Sequence, residues 1–174
     1  MQKQQGFTLI ELVVVIIILG ILAVVAAPKF INLQSDARGS TLKGMKAAIE
    51  GANSMVYSKA VLQGAQNGTG TVDINGTETT DDDISTVNGY LAATQTSLQA
   101  GLDVTFDSGN NPSATGSNDW VINAPEGGTT AQIWQRGAPA DAGADDTATS
   151  CSLTYTQSTG AGVKPTITVD TSGC

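Results

Sequence analysis

The chain begins with a long apolar segment that contains a single acidic residue. The 21 residues from Phe7 to Ala27 are all apolar except Thr8, Glu11 and Gly20. At about 1.5 Å of rise per residue, a helix of this length spans about 31 Å, which matches the hydrocarbon core of a bilayer. A carboxylate inside such a helix costs on the order of 2.5–3.5 kcal/mol on insertion scales, so we expect Glu11 to have a function.

The residues on either side of this segment indicate its orientation in the membrane and leave two alternative interpretations of it. Lys3 is the only charge before it, and positive residues stay cytoplasmic, which places the rest of the chain on the far side of the membrane. A cleavable secretory signal is one alternative, because small residues stand at Ala26 and Ala27. Its apolar core is long for a signal, however, and Pro28 would directly follow the cut. A permanent anchor is the other alternative, and it leaves Glu11 unexplained.

The pattern becomes amphipathic after Pro28. Apolar residues recur mostly at steps of three and four, which predicts one helix from Phe7 to Gln63 with a half-buried second part. Pro28 either kinks this helix or begins a separate one, and the kink is favoured because the periodicity resumes at once. The glycines of the second part weaken a helix or permit close packing. The apolar positions are Phe30, Leu33, Ala37, Leu42, Met45, Ile49, Ala52, Val56 and Ala60, and the glycines are Gly39, Gly44 and Gly51.

Residues 64–118 are rich in Gly, Thr, Asn, Asp and Ser and show only weak patterns. Short strands are predicted near Val72–Ile74 and Val104–Phe106, and a short helical turn within Ile84–Ala100. Asp81–Asp83 raises the question of a calcium site. Three successive carboxylates do not point inward together, so a solvated acidic loop is the preferred interpretation. Two tripeptides, at Asn67 and Asn75, fit the N-glycosylation pattern.

The last part of the chain, residues 119–174, predicts an antiparallel sheet. Four short segments alternate or are rich in β-formers, with turn residues between them. We expect the sheet to pack on the Met45–Ala60 side of the helix, which gives an α+β fold. Trp120 and Trp134 are expected in the core or on the sheet face, with sugar stacking as the alternative. The four segments are Asp119–Asn123, Ala131–Gln135, Ser152–Thr156 and Thr166–Asp170.

Cys151 and Cys174 are the only cysteines. On an oxidising side of the membrane, two cysteines most simply form one disulfide. Its loop of about 24 residues would stabilise the fold by roughly 3 kcal/mol in the chain-entropy model. A metal site is not expected, since the chain has no His and no further Cys.

Composition argues against two classes of function. The formal net charge is −8, and removal of Lys3 would make it −9, whereas nucleic-acid binding needs clustered positive charge. The chain has no His and no Gly-Lys-Ser phosphate loop, and no pair of carboxylates is singled out by spacing. We therefore expect no enzyme, no catalytic residues, no cofactor and no nucleic-acid partner.

The segment Gly6–Leu12, followed by Val13–Ile16, resembles the prepilin signature of type IV pilins and secretion pseudopilins. The similarity extends through Pro28–Leu33 and on to Asn53–Lys59. This longer stretch is most similar to the mannose-sensitive haemagglutinin branch of type IVa pilins. The resemblance covers about the first third of the chain.

The resemblance implies roles for residues at the start of the helix. Prepilin peptidase would cut between Gly6 and Phe7 and methylate the new amine of Phe7. Glu11 would pair with the Phe7 amine of a neighbouring subunit, which fixes the axial register of a filament, because an unpaired carboxylate is unfavourable in a low-dielectric core. Thr8 is expected to bond back to a helix carbonyl, and the helix is expected to be looser between Gly20 and Pro28.

The resemblance also implies a division of the chain and a function. Residues 1–6 would be the leader, 7–28 the membrane and filament-core helix, 29–63 the amphipathic helix, 64–118 the variable region and 119–174 the sheet with its disulfide. Within the last part, Ser152–Gly173 would form exposed contacts. The chain would be stored in the inner membrane with its C-terminal domain in the periplasm. It would then polymerise into an extracellular pilus for attachment and biofilm formation.

The implied partners are other copies of the chain, prepilin peptidase, and an assembly platform with its ATPase. Surface glycans are a further candidate. A pseudopilin of type II secretion is the alternative function, and an anchored binding domain that forms no polymer is a third.

Overall fold

The structure is a computed structural model that describes residues 6–77, 83–141 and 149–174. The chain divides into two compact units, Met1–Ala37 and Arg38–Cys174. The elements in chain order are α1 (Leu9–Gln63), β1 (Thr69–Val72), β2 (Ile84–Val87), β3 (Tyr90–Leu91), α2 (Gln95–Leu102), β4 (Phe106–Ser108), β5 (Trp120–Asn123), β6 (Thr130–Gln135), β7 (Ser152–Thr156) and β8 (Thr166–Asp170).

Helix α1 is close to the predicted helix and begins two residues later. Pro28 lies inside it, so a separate helix starting at Pro28 is excluded. The loosening expected between Gly20 and Pro28 is absent from this structure, because the helix runs through the interval without a break. Pro28 removes only its own N–H bond to the carbonyl one turn earlier, and the hydrogen bonds on either side continue.

The C-terminal end of α1 is closed by a left-handed residue. Gly64 has φ 73°, which glycine adopts at little cost. Its N–H donates to the Val61 carbonyl at 3.3 Å, and the Ala65 N–H donates to the Ala60 carbonyl at 2.8 Å. This pair of bonds is the Schellman motif, which satisfies carbonyls that the helix itself leaves open.

The second unit contains a five-stranded sheet in the order β4-β5-β6-β7-β8. Strands β5 to β8 are the four predicted strands, and each pairs antiparallel with the next. The prediction of a purely antiparallel sheet is corrected at one edge, where β4 pairs parallel with β5. The strand predicted near Val104 begins only at Phe106.

A second sheet lies in the variable region, with the order β1-β2-β3. The short helical turn predicted within Ile84–Ala100 is present as α2, which extends two residues beyond that range, and the first half of the range is a β-hairpin. Asn88 and Gly89 form the hairpin turn, with φ 52° and 79°, and the two-residue Asn-Gly turn is the strongest short hairpin signal in a sequence. The strand predicted near Val72–Ile74 ends at Val72.

The core of the second unit lies between the later part of α1 and the five-stranded sheet, as predicted. The helix contributes Leu42, Met45, Ile49 and Val56, and the sheet contributes Ile122, Ile133, Leu153 and Tyr155. Trp134 is 1% exposed, and Trp120 is half-buried against the core. Both tryptophans are therefore core or sheet-face residues, and Trp134 has no free ring face for a sugar.

The glycines of α1 divide into two kinds. Gly39 is buried, and a Cβ added there would lie 3.3 Å from Thr171 Cγ2, so this glycine permits close packing. Gly44 and Gly51 are exposed, and an added Cβ would meet nothing within 4 Å. Within the described part of the chain, close packing therefore explains Gly39 alone.

Candidate functional site

The residues predicted to be processed lie immediately before α1. Gly6 and Phe7 have no regular secondary structure, and the Phe7 side chain is 94% exposed. A Cβ added at Gly6 would meet nothing within 4 Å. The fold of the chain therefore does not require glycine at this position. Any need for glycine there would come from another protein that binds this segment.

Thr8 and Glu11 form a capping box at the start of α1. Glu11 Oε2 accepts hydrogen bonds from the Thr8 N–H and from Thr8 Oγ1, each at 2.8 Å, and Thr8 Oγ1 accepts from the Glu11 N–H at 3.3 Å. The expectation that Thr8 bonds back to a helix carbonyl is wrong. Thr8 is instead the N-cap residue, and Glu11 lies three positions later. The side chain of each residue accepts a hydrogen bond from the backbone N–H of the other, so two N–H groups that the helix leaves open are satisfied.

The capping box leaves half of the carboxylate open. Both accepted bonds end on Oε2, and Oε1 accepts none from the described residues. An ionised carboxylate offers about four acceptor positions on its two oxygens. Glu11 therefore caps its own helix with one oxygen while the other remains open to a donor from another molecule.

The first unit exposes a continuous apolar helix surface. The described part of the chain contains one helix that is long and apolar enough to cross a membrane, with a mean hydropathy of 3.2 over its best window, and none of that window is buried. An apolar surface of this size indicates a membrane or a protein interface. Phe30 and Leu33, beyond Pro28, are also exposed, at 70% and 65%.

The disulfide between Cys151 and Cys174 is present, with the two Cα atoms 4.7 Å apart. The prediction that Ser152–Gly173 forms exposed contacts is corrected in part. Ser152, Leu153 and Tyr155 of β7 are buried, because β7 lies inside the sheet and pairs on both sides. The exposed side chains of this segment belong to the loop between β7 and β8, which includes Val163 and Lys164, to the edge strand β8, and to the residues that follow it.

The remaining candidates lie in loops. Asp81 and Asp82 fall outside the described residues, so the acidic loop is described only at Asp83. Within residues 6–77, 83–141 and 149–174, no three His, Cys, Asp or Glu side chains are grouped so as to hold a metal ion. The asparagines of the two glycosylation tripeptides are not buried.

Comparisons with known proteins find similarity at the N-terminal segment. Residues 1–27 match the family described as "Prokaryotic N-terminal methylation motif". A "Type IV narrow pilus major component PilA5" of Thermus thermophilus is 39% identical over 61 residues, 35% of this chain and 49% of the relative. The "Type IV major pilin protein PilA" of Myxococcus xanthus is 40% identical over 57 residues, 33% of this chain and 26% of the relative.

A relative from a different system matches over a similar length. The "Type II secretion system core protein G" of Klebsiella pneumoniae is 42% identical over 55 residues, 32% of this chain and 39% of the relative. The chain thus spans between about a quarter and a half of the curated relatives it matches. No solved structure matches significantly. The chain is therefore similar to pilin-type proteins over about a third of its length.

Proposed function

We propose that this chain, which carries the prokaryotic N-terminal methylation motif, is the major structural subunit of a type IV pilus. Its N-terminal segment is similar to the major pilins of two organisms. A long apolar helix precedes a folded α+β unit, which suits a subunit that is held in a membrane and later polymerised. In this account the chain is a building block and not an enzyme.

Processing would create the assembly site. Prepilin peptidase would cut between Gly6 and Phe7 and methylate the Phe7 amine. The absence of helical structure at these two residues supports this step, because proteases bind extended backbone. The new cationic amine would then pair with Glu11 of a neighbouring subunit, in a filament built by the assembly platform and its ATPase.

The open Oε1 atom of Glu11 is the observation that carries the proposal. The capping box satisfies one oxygen within the chain, so Glu11 does not need to give up its cap in order to accept an ammonium group. In a filament core the pairing of the two charges offsets much of the desolvation that each of them suffers. The same pairing sets the stagger between subunits, because only one axial offset brings amine and carboxylate together.

Polymerisation would also cover the apolar surface of the first unit. In the membrane, lipid chains surround the exposed residues between Leu9 and Val25. In the filament, like helices would replace the lipid. Because both surroundings are apolar, the exchange costs little hydrophobic free energy. Pro28 would mark the point where this helix leaves the apolar surroundings.

The finer assignment concerns the type of pilus and its place in the cell. The stretches Pro28–Leu33 and Asn53–Lys59 support the mannose-sensitive haemagglutinin type, with attachment and biofilm formation as the use of the fibre. The precursor would lie in the inner membrane with its C-terminal domain in the periplasm, and the fibre would be extracellular. Surface glycans are candidate ligands of such a fibre.

A pseudopilin of type II secretion is the second candidate. The similarity to core protein G favours it, since that match, over 55 residues, is nearly as long as the matches to pilins over 61 and 57 residues. The two functions differ in where the processed subunit is found. A major pilin is abundant in fibres sheared from the cell surface, whereas a pseudopilin stays in the cell envelope.

The role of Glu11 is tested by separating its charge from its capping bond. The Glu11→Gln variant keeps an acceptor three residues after Thr8, so the capping box remains possible, but the charge is lost. We expect normal membrane insertion and a fall in fibre yield of at least about tenfold, because removing one partner of a buried ion pair leaves the other uncompensated. Sheared fibres are quantified against total membrane-bound subunit.

Thr8→Val is the matched control. It removes the hydroxyl of the capping box, at a local cost of about 0.5–2 kcal/mol, and keeps the carboxylate. Fibre yield should stay within about twofold of wild type. Equal losses in both variants would assign Glu11 to helix capping alone, and normal yield from Glu11→Gln would refute the pairing.

A further inference from the structure

The two tripeptides that fit the N-glycosylation pattern have the same sequence and different surroundings. Residues 67–69 and 75–77 are both Asn-Gly-Thr, and Gly68 and Gly76 have nearly the same φ, 72° and 79°. An Asn-Gly pair is chemically reactive, because the nitrogen of glycine, which no side chain shields, can attack the side-chain amide carbon of the asparagine. Any difference in reactivity between the two tripeptides therefore comes from the groups that contact them.

A carboxylate contacts the attacking nitrogen in the second tripeptide. The Gly76 N–H donates to Asp73 Oδ1 at 2.6 Å. A general base must lie about 2.6–3.2 Å from the group whose proton it removes, and Asp73 meets this condition. The glycine nitrogen becomes nucleophilic only when it loses this proton, so Asp73 is placed to activate it.

A hydroxyl group contacts the oxygen on which negative charge would develop. Thr77 Oγ1 donates to Asn75 Oδ1 at 3.2 Å. When a nitrogen attacks the amide carbon, this oxygen becomes an oxyanion, and a donor that is already in place stabilises it. The base, the nucleophile, the amide under attack and the oxyanion donor thus all lie within residues 73–77.

The base is held by the end of α1. The Gln63 side-chain NH₂ group donates to the Asp73 carbonyl at 2.7 Å, and Gln63 Oε1 accepts from the Asp73 N–H at 3.1 Å. Both backbone groups of Asp73 are therefore fixed to the last residue of a helix, while Asn75 and Gly76 are exposed. Groups held by a rigid element keep their geometry better than groups on a free loop, and the exposure gives water access to the asparagine.

In the first tripeptide, the group that contacts the glycine nitrogen is an amide. The Gly68 N–H donates to Asn88 Oδ1 at 3.0 Å, and the Gly68 carbonyl accepts from the Asn88 N–H at 2.6 Å. An amide oxygen is a much weaker base than a carboxylate, and the two bonds hold the glycine in place. The third Asn-Gly pair, Asn88-Gly89, is protected by burial: Asn88 is 9% exposed, and its Nδ2 donates to Ser158 Oγ at 3.1 Å.

We propose that Asn75 undergoes self-catalysed deamidation in the folded chain, with Asp73 as the general base. The Gly76 nitrogen forms a bond to Asn75 Cγ, and its proton passes to Asp73. The proton then passes to the side-chain NH₂ group, which leaves as ammonia when its bond to Cγ breaks, and a succinimide ring remains. Water opens the ring at either carbonyl, which gives aspartate or isoaspartate, and the reaction needs no oxidant or reductant.

The modification changes the surface of the second unit. Each conversion replaces a neutral amide by a carboxylate, so the chain gains one negative charge. It also removes the amide nitrogen to which an N-linked glycan would be attached. Because the reaction proceeds with time, old subunits would carry more converted Asn75 than newly made ones. The residues involved belong to the second unit, so a failure of the pilus assignment and a failure of this proposal are distinguishable.

The test follows deamidation of the full chain in detergent micelles, incubated at neutral pH in water labelled with heavy oxygen. Peptide mapping by mass spectrometry reports the label at each asparagine and separates aspartate from isoaspartate. General-base catalysis contributes on the order of 10²–10⁴-fold. We therefore expect labelled product at Asn75 to form at least about tenfold faster than at Asn67 and Asn88.

Two variants separate catalysis from the local turn. Asp73→Asn keeps an oxygen that accepts from the Gly76 N–H but removes the base, so conversion of Asn75 should slow at least about tenfold. Thr77→Val removes the hydroxyl donor and should slow the conversion about 3- to 10-fold, the effect of one lost hydrogen bond. The rate at Asn67 is the internal control and should be unchanged in both variants, because the glycine that follows it is bonded to Asn88.

Three outcomes would overturn the proposal. The first is an absence of labelled product at Asn75. The second is an equal rate at Asn67 and Asn75, which would show that the tripeptide sequence alone sets the reactivity. The third is an equal rate at Asn75 in wild type and Asp73→Asn, which would limit Asp73 to a role in the turn.

Discussion

Reduction of the Cys151–Cys174 disulfide should remove a large part of the stability of the second unit. The bond joins residues 23 positions apart, and the chain-entropy model gives about 3.4 kcal/mol for a loop of this length. Reduction of the wild-type chain leaves both sulfur atoms in place, so no cavity adds to this value. For a unit of this size, the change corresponds to a lower melting temperature by about 10 °C.

The structure also predicts where the loss appears first. Strand β8 is an edge strand that pairs only with β7, through five register pairs from Ser152–Asp170 to Thr156–Thr166. Beyond β8, the end of the chain is attached by the disulfide and by the Gly173 N–H bond to the Ser150 carbonyl at 2.9 Å. Amide exchange should therefore rise in β8, while β7, which pairs on both sides, stays protected.

The assay is denaturant unfolding of the full chain in detergent, oxidised and reduced, followed by the fluorescence of Trp134, which is 1% exposed. The Cys151→Ala/Cys174→Ala variant should lose about 1 kcal/mol more than the reduced wild type, because Cys151 is fully buried and its truncation leaves a cavity. A difference below about 1 kcal/mol between oxidised and reduced wild type would refute the entropic reasoning.

Two other predictions concern stability. A hydrogen bond from the Asn118 N–H lowers the pKa of Asp107 below its usual 3.8. The contribution of Asp107 to the free energy of unfolding is therefore present above pH 3.8 and is lost as the pH falls through the lowered pKa. Between pH 5 and pH 3, the loss of stability should be larger in wild type than in Asp107→Asn. Gly51→Ala should stabilise the helix by up to about 1 kcal/mol in thermal unfolding, whereas Gly101→Ala should give no gain, because its Cβ would lie 2.7 Å from the buried Leu91 Cδ2. An equal loss of stability at low pH in wild type and Asp107→Asn would contradict the first expectation. An equal gain of stability in Gly51→Ala and Gly101→Ala would contradict the second.

The parts of the fold with regular periodicity were predictable from the sequence. Strands β7 and β8 alternate apolar and polar residues, β5 and β6 are rich in β-formers, and the helix pattern continues from the apolar segment to Gln63. Strand β4 was predicted two residues too early, because its three residues, Phe106–Ser108, are too few for periodicity to fix its bounds. Its parallel pairing with β5 depends on a distant segment, which no local pattern records.

Two misses had a readable signal. Asn88-Gly89 stands between short runs of β-formers, which is a hairpin signal, and no hairpin was predicted there. Thr8 and Glu11 have the spacing of a capping box directly before an apolar run. The sequence therefore held both the cap and the anomalous carboxylate, but only the structure shows that the cap occupies one oxygen and leaves the other open.

Intact-mass analysis of fibres sheared from the cell surface tests the central claim most directly. The account predicts a subunit that starts at a methylated Phe7 and is two hydrogens lighter than the reduced chain, because of the Cys151–Cys174 bond. Processed subunit that is found in the membrane and is missing from the sheared fraction would contradict the pilus and favour the pseudopilin. An uncut chain starting at Met1 would contradict processing itself and leave an anchored domain.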